Sequence, residues 1–210
     1  MDSAGTASVP VCFCLVEMQS MKPGSDRGKY FVWLDLEMTG LDPERHAIIE
    51  IATVITDGQI NIVAAGPDLA IAQSVEALRA MEAWSKRTHK KSGLLDRVQK
   101  EGLSLKEAEE QTLAFVRRYC GRKQSPLCGN SIGHDRRFLI KYMPTLHDYF
   151  HYRNIDVSTI KELVQRWYPK NSLPPKKKAV HRAMDDIQES ISELLLYRVN
   201  YFKPSFSPPA

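Results

Sequence analysis

Residues 30–65 read YFVWLDLEMTGLDPERHAIIEIATVITDGQINIVAA, and this stretch decides the fold class. Three runs rich in β-branched and aromatic residues, Tyr30–Leu36, Ile48–Thr56 and Ile60–Ala65, are predicted strands. Asp57-Gly58-Gln59 between the last two suits a hairpin, so the opening is an antiparallel meander. Alternation along the first strand sets Trp33, Asp35 and Glu37 on one face and Val32, Leu34 and Leu36 on the other. Two carboxylates on one face of a mostly apolar strand repel each other unless a cation lies between them. An exposed polar strand face is the alternative.

Downstream, apolar residues recur at helical spacing over about Val75 to Lys86 and over Leu105 to Tyr119. A short strand, Pro126 to Gly129, leads into a helix beginning near His134; Tyr152 to Asp156 reads as a further strand. Val157 to Trp167 and Ala183 to Tyr201 read as helices. A meander followed by alternating strands and helices implies an α/β fold, a mixed central sheet flanked by helices. Residues 1–29 show no sustained periodicity and read as a flexible arm, residues 30–203 form the domain, and residues 204–210 read as a disordered tail.

At 210 residues the chain is long enough to bury one core, and 43% hydrophobic with 26% charged residues excludes disordered and fibrous classes. A net charge of +4 gives slight encouragement to a nucleic-acid partner and none to a binder of long duplexes. Cys12, Cys14, Cys120 and Cys128 form no Cys-x-x-Cys pair, so a zinc site or disulfide framework is not expected and a reducing compartment is. The longest apolar run, Val9 to Val16, is too short for a bilayer, and the first 21 residues lack the Lys and Arg of a targeting leader.

Two further stretches carry chemistry. Cys128 to Asp135 is a strand running through glycines to an acid at a helix start, a place where α/β sheets bind ligands and where an Asp also serves as a cap. His181-Arg182-Ala183-Met184-Asp185-Asp186 opens the last helix; positions five apart diverge by about 140° on a helix, so His181 meets Asp186 only from the preceding loop. A solvated His and a first-turn charge are the alternatives there.

Asp35-x-Glu37, Asp135, and His181 with Asp186 five residues on resemble the three motifs of the DEDD exonucleases, in their histidine-bearing subgroup. The words Trp33-Leu-Asp-Leu-Glu-Met-Thr-Gly-Leu41, Gly129-Asn-Ser131, Tyr152-Arg153-x-x-Asp156-Val-Ser-Thr159 and His181-x-Ala-x-Asp-Asp-Ile187 resemble the oligoribonuclease family. The likeness runs from Tyr30 to Lys203. It implies a ribonuclease H-like exonuclease fold and 3′-to-5′ hydrolysis of short oligoribonucleotides, dinucleotides especially. It also implies two divalent cations, Mg²⁺ or Mn²⁺, on Asp35, Glu37, Asp135 and Asp186, with His181 as proton acceptor; an all-oxygen ligand set suits those ions better than zinc.

By the same resemblance Leu41 and Trp84 wedge against the terminal bases, His89 belongs to the active site, and Ser131, Arg153 and Ser158 cap a 5′ phosphate. Tyr152 comes from the neighbouring subunit, which implies a homodimer. Each has a plainer reading: Trp84 as core beside Leu78 and Met81, Ser158 as an N-cap, His89 as part of a solvated basic face with Lys86, Arg87, Lys90 and Lys91. The alternative activity is a proofreading-type exonuclease acting on longer DNA or RNA, against which Arg153 with Ser158 argue. Arg166-Trp-Tyr-Pro169 and Pro175-Lys-Lys177 look closer to eukaryotic relatives, some of them mitochondrial, whereas the arm lacks import-type basic residues. The cytoplasm is therefore expected, with mitochondria as the alternative.

Overall fold

The computed structural model describes residues 30–169 and 181–202. The meander forms as anticipated: β1 (Phe31–Met38), β2 (Ile48–Thr56) and β3 (Ile62–Ala70) pair antiparallel in turn. On the other side of β1, β4 (Leu127–Gly129) and β5 (Asn154–Asp156) add in parallel, giving the order β3-β2-β1-β4-β5. The helices are α1 (Val75–Arg79), α2 (Ala83–Lys91), α3 (Leu94–Glu101), α4 (Leu105–Tyr119), α5 (Gly133–Tyr142), α6 (Pro144–His147), α7 (Val157–Trp167) and α8 (Ala183–Tyr201).

Strand alternation divides the core in two. Val32, Leu34 and Leu36 pack with Phe115 and Val116 of α4 and Phe138 and Leu139 of α5. On the opposite face Trp33, Ala52 and Val54 pack with Val164 of α7 and with Ala183, Ile187 and Ile191 of α8. Trp33 can be wholly buried because its indole N–H donates to Thr56 Oγ1 at 2.9 Å. The strand β2 is buried from end to end, which explains why Ile48–Thr56 reads as a near-continuous apolar run. Asp35 and Glu37 continue the Trp33 face and so project toward α8.

The predicted helix over 75–86 is instead two helices. The chain breaks between Arg79 and Ala83, where the Glu82 N–H donates to the Thr39 carbonyl at 2.9 Å and Met81 is buried with Ile49, Leu94 and Val98. A tertiary bond thus overrides a continuous local periodicity. The third strand starts later and runs further than predicted, because Asp57 caps its own turn by accepting from the Gln59 and Asn61 amides and Ile60 sits at φ 70°. Helices α3 and α6 were not predicted; both are short, and α6 has a proline at its start. By contrast α4 keeps its predicted bounds, opened by a capping box between Ser104 and Glu107. The arm, the 204–210 tail, Cys12, Cys14 and the Lys176–Lys178 run lie outside the described residues.

Candidate active site

Three carboxylates meet where β1 faces the first turn of α8. Oxygens of Asp35, Glu37 and Asp186 all lie within 4.8 Å of one another. Asp135, on the first turn of α5, stands just outside this cluster; its Oδ1 accepts the Leu36 N–H at 2.9 Å across the end of β1. It is not the cap of its own helix. Of the paired aspartates at the α8 start, Asp186 joins the cluster and Asp185 is exposed.

Burial first, then the neighbouring negative charges, led by Asp135, holds the Asp35 carboxyl well above its usual range. Burial and then Asp186 push Glu37 up to about 8. Asp135 is raised to about 7 by burial, partly offset by the Leu36 N–H. Such crowding is stable only if some acids keep their protons or a cation takes the protons' place, and a hard divalent ion fits this all-oxygen donor set. The donors therefore fit a divalent metal.

His181 occupies the loop before α8, as its spacing from Asp186 requires, with a left-handed φ of 56°. Its ring meets the Trp84 ring edge-on at 5.2 Å. Trp84 is 56% exposed and is not core; it lies on α2, and Leu41 is equally exposed after β1. Gly40 in that turn leaves no room for a side chain: a Cβ would sit 2.6 Å from the His46 imidazole.

His89 is 1% exposed, so the solvated basic face is not its setting. Its Nε2 lies 3.0 Å from the Met38 carbonyl, and because a carbonyl only accepts, Nε2 carries the proton. Burial lowers the His89 pKa, leaving a neutral ring whose Nδ1 lone pair faces Glu37 Oε2 at 3.8 Å.

On the far side of β1, Ser131 and Ser158 come together. The Ser131 N–H bonds both Asp156 Oδ1 at 2.9 Å and Ser158 Oγ at 3.0 Å, and the two hydroxyls are 3.1 Å apart. Asp156, not Ser158, caps α7 by accepting the Ser158 N–H. Ser158 Oγ is thus free of capping and bonds the Asn130 amide oxygen at 3.1 Å, while Asn130 Nδ2 reaches Ser190 of α8 at 2.7 Å. Tyr152 is 72% exposed, with the Arg153 guanidinium over its ring at 5.4 Å.

The exonuclease family model known as RNase_T matches residues 32–194. The oligoribonuclease of Marinobacter nauticus is 56% identical over 176 residues, covering 84% of this chain and 98% of the relative. That of Shewanella loihica is 56% identical, covering 82% of this chain and 95% of its own. The chain is a member of the oligoribonuclease family of exonucleases. Its fold is also that of exonuclease I: the enzyme of Methylocaldum szegediense superposes with a TM-score of 0.60 at 16% identity, over 82% of this chain and 41% of that one. Escherichia coli exonuclease I in complex with single-stranded DNA gives 0.63 at 13% identity, and here too the chain spans about two fifths of the neighbour's length.

The oxygens of Asp35, Glu37 and Asp186 are arranged so that they could hold a cation, the His181 and Trp84 rings meet before α8, and the serine pair lies toward β5 and α7. Sequence reasoning gave no role to Glu50, Arg182, Asn130 and Asp156; Asn130 and Asp156 accept bonds from Ser158, and Glu50 accepts from Arg182 and from the Ala183 N–H at the start of α8. Asn130, Asp156 and Arg182 stand inside the quoted motif words, whereas Glu50 shows only as a single acid inside the apolar run Ile48-Ile-Glu-Ile-Ala52. Among the described residues no helix is long and apolar enough to cross a membrane.

Proposed function

We propose that the chain hydrolyses short oligoribonucleotides from the 3′ end, releasing nucleoside 5′-monophosphates. The observation that carries this is the meeting of Asp35, Glu37 and Asp186 oxygens within 4.8 Å, with Asp135 behind them. The identity to oligoribonucleases over nearly their whole length supports the same reading.

In this reading a water attacks the scissile phosphorus, a new P–O bond forms, the bond to the 3′ oxygen breaks, and that oxygen leaves with a proton. Two divalent ions, Mg²⁺ or Mn²⁺, when held by Asp35, Glu37, Asp135 and Asp186, supply acidification of the water and charge neutralisation at the departing oxygen. His181 takes the water's proton, a task suited to an imidazole near neutral pH. Its backbone is left-handed and its ring meets that of Trp84 edge-on. Trp84 and Leu41, both exposed, offer flat and apolar surface to bases of any sequence. Buried and neutral, His89 presents only an acceptor to the Glu37 side.

Length selection rests on the other end. Ser131, Ser158 and Arg153 would hold a 5′ phosphate through hydroxyl and guanidinium donors. A phosphate site there would hold the far end of a dinucleotide and obstruct longer strands. Tyr152, largely exposed here, would be buried against a second copy in a homodimer whose partner completes that pocket. The buried free thiols Cys120 and Cys128 accord with work in the reducing cytoplasm, or alternatively the mitochondrion.

The test is hydrolysis of a 5′-labelled RNA dinucleotide and a 20-mer in Mn²⁺. Faster loss of the dinucleotide with release of labelled 5′-monophosphate is expected. Equal rates would remove the phosphate cap and favour a general exonuclease, and no cleavage of either would remove the enzyme reading.

A further inference from the structure

Glu50 is 0% exposed and lies on β2 directly opposite Glu37 of β1. Like charges in that position repel, and nothing in the proposed chemistry uses Glu50. Its carboxylate is nonetheless fully engaged. Oε1 accepts from Arg97 Nη1 of α3 at 2.7 Å and from Arg182 Nε at 3.1 Å and Nη2 at 3.0 Å. Oε2 accepts the backbone N–H of Ala183 at 2.9 Å.

Ala183 is the first residue of α8, and Arg182, the N-cap, makes no side-chain cap bond of its own. The first orphan amide of the helix is therefore capped from another strand. The Arg182 carbonyl in turn accepts the Asp186 N–H at 2.9 Å, and His181 immediately before it holds φ 56°. A non-glycine residue in the left-handed region persists only where its surroundings over-determine it. Here the flanking residue is pinned by two bonds to Glu50, and the ring abuts Trp84.

We infer that Glu50 and Arg182 form a positioning clamp: the buried carboxylate of β2 fixes the entry of α8, so that Asp186 and His181 arrive together opposite Asp35 and Glu37. Neither residue touches the reacting atoms. The clamp deepens the proposed function but does not depend on its substrate, since it predicts metal affinity directly.

Charge and position make opposite predictions for one variant. Arg182 is a cation near the acids and lowers the Glu37 pKa. Removing its charge by Arg182→Gln would by electrostatics alone tighten a divalent ion. If the clamp matters, the same change loosens the α8 entry and weakens the ion. Supporting groups one bond behind a ligand set affinity by about 10- to 100-fold.

The experiment titrates Mn²⁺ into the 210-residue protein without substrate, following free Mn²⁺ by electron paramagnetic resonance, for wild type, Arg182→Gln and Arg182→Lys. Arg182→Gln is expected to raise the Mn²⁺ Kd about tenfold or more, and Arg182→Lys, which keeps the charge but not the fork, to fall between. On the dinucleotide, kcat should drop in parallel with KM held within about threefold, because Trp84 and the serines are untouched. Tighter or unchanged Mn²⁺ binding in Arg182→Gln overturns the clamp. Should that variant not fold, unweakened binding by Arg182→Lys overturns it equally. A wild-type protein that binds Mn²⁺ but leaves the dinucleotide intact would sink the substrate reading and leave the clamp to be decided by the titration.

Discussion

The acids that make the site should destabilise the empty protein, and Glu37→Gln measures by how much. Unfolded, Glu37 titrates near 4.5; folded, burial and Asp186 push it to about 8. The folded state therefore holds a proton that the unfolded chain releases, so stability is highest below pH 4.5 and falls as pH rises through that window to 8. At about 1.4 kcal/mol per pH unit the loss from this group reaches ~3 kcal/mol at pH 7 and ~5 kcal/mol above pH 9. The side chain is 13% exposed and partly screened by solvent, so a measured gain of ~2 kcal/mol at pH 8 is the expectation. Glutamine keeps the shape and cannot ionise. In EDTA, urea unfolding of Glu37→Gln and wild type should nearly coincide at pH 5 and diverge toward pH 8, with the variant more stable. Mn²⁺ should then reverse the order, since ligand binding stabilises only the protein that retains its ligands. Parallel pH curves for the two proteins in EDTA would refute the claim that Glu37 is strained in the empty site.

The remaining predictions concern substrate and pH. Trp84→Ala should raise the dinucleotide KM by ~10- to 100-fold, the worth of one stacked base, while leaving the Tm within a few degrees because the ring is 56% exposed; a large fall in Tm instead would return Trp84 to the core. Ser158→Ala removes a hydroxyl that contacts Ser131 and Asn130 without capping α7; the dinucleotide-to-20-mer rate ratio should fall by about tenfold with the helix intact, and an unchanged ratio would disqualify the serine pair as the phosphate site. Metal binding must displace protons from Asp135, near 7, and Glu37, near 8; Mn²⁺ affinity should rise steadily from pH 6 to pH 8, and a pH-independent Kd would show that these acids are already ionised without metal.

Much of the fold was legible because strand and helix periodicities are local. The division of β1 into a Val32-Leu34-Leu36 face and a Trp33-Asp35-Glu37 face followed from alternation alone, and the two faces do pack against different helices. The bounds of α7 and α8 were readable for the same reason. The 75–86 segment was not, since its break depends on the Glu82 amide finding the Thr39 carbonyl, forty-three positions away in sequence. Nor did local patterns expose α3, whose Arg97 side chain is ordered by Glu50 and Asp68 on the neighbouring strands.

The sequence by itself supplied the candidates for the chemistry, four acids, one imidazole and their spacing, with a loop placement for His181 following from the pitch of a helix if it is to meet Asp186. Only the tertiary structure decided which of those groups share a space. It brought Asp186 to Asp35 and Glu37, drew Asp135 up to the end of β1, buried His89 on a carbonyl, left Trp84 in the open and set Glu50 behind the α8 entry. The reason is physical: covalent pattern fixes the direction of a side chain relative to its own strand or helix, whereas proximity, burial and pKa arise from elements that meet only when the whole sheet is assembled.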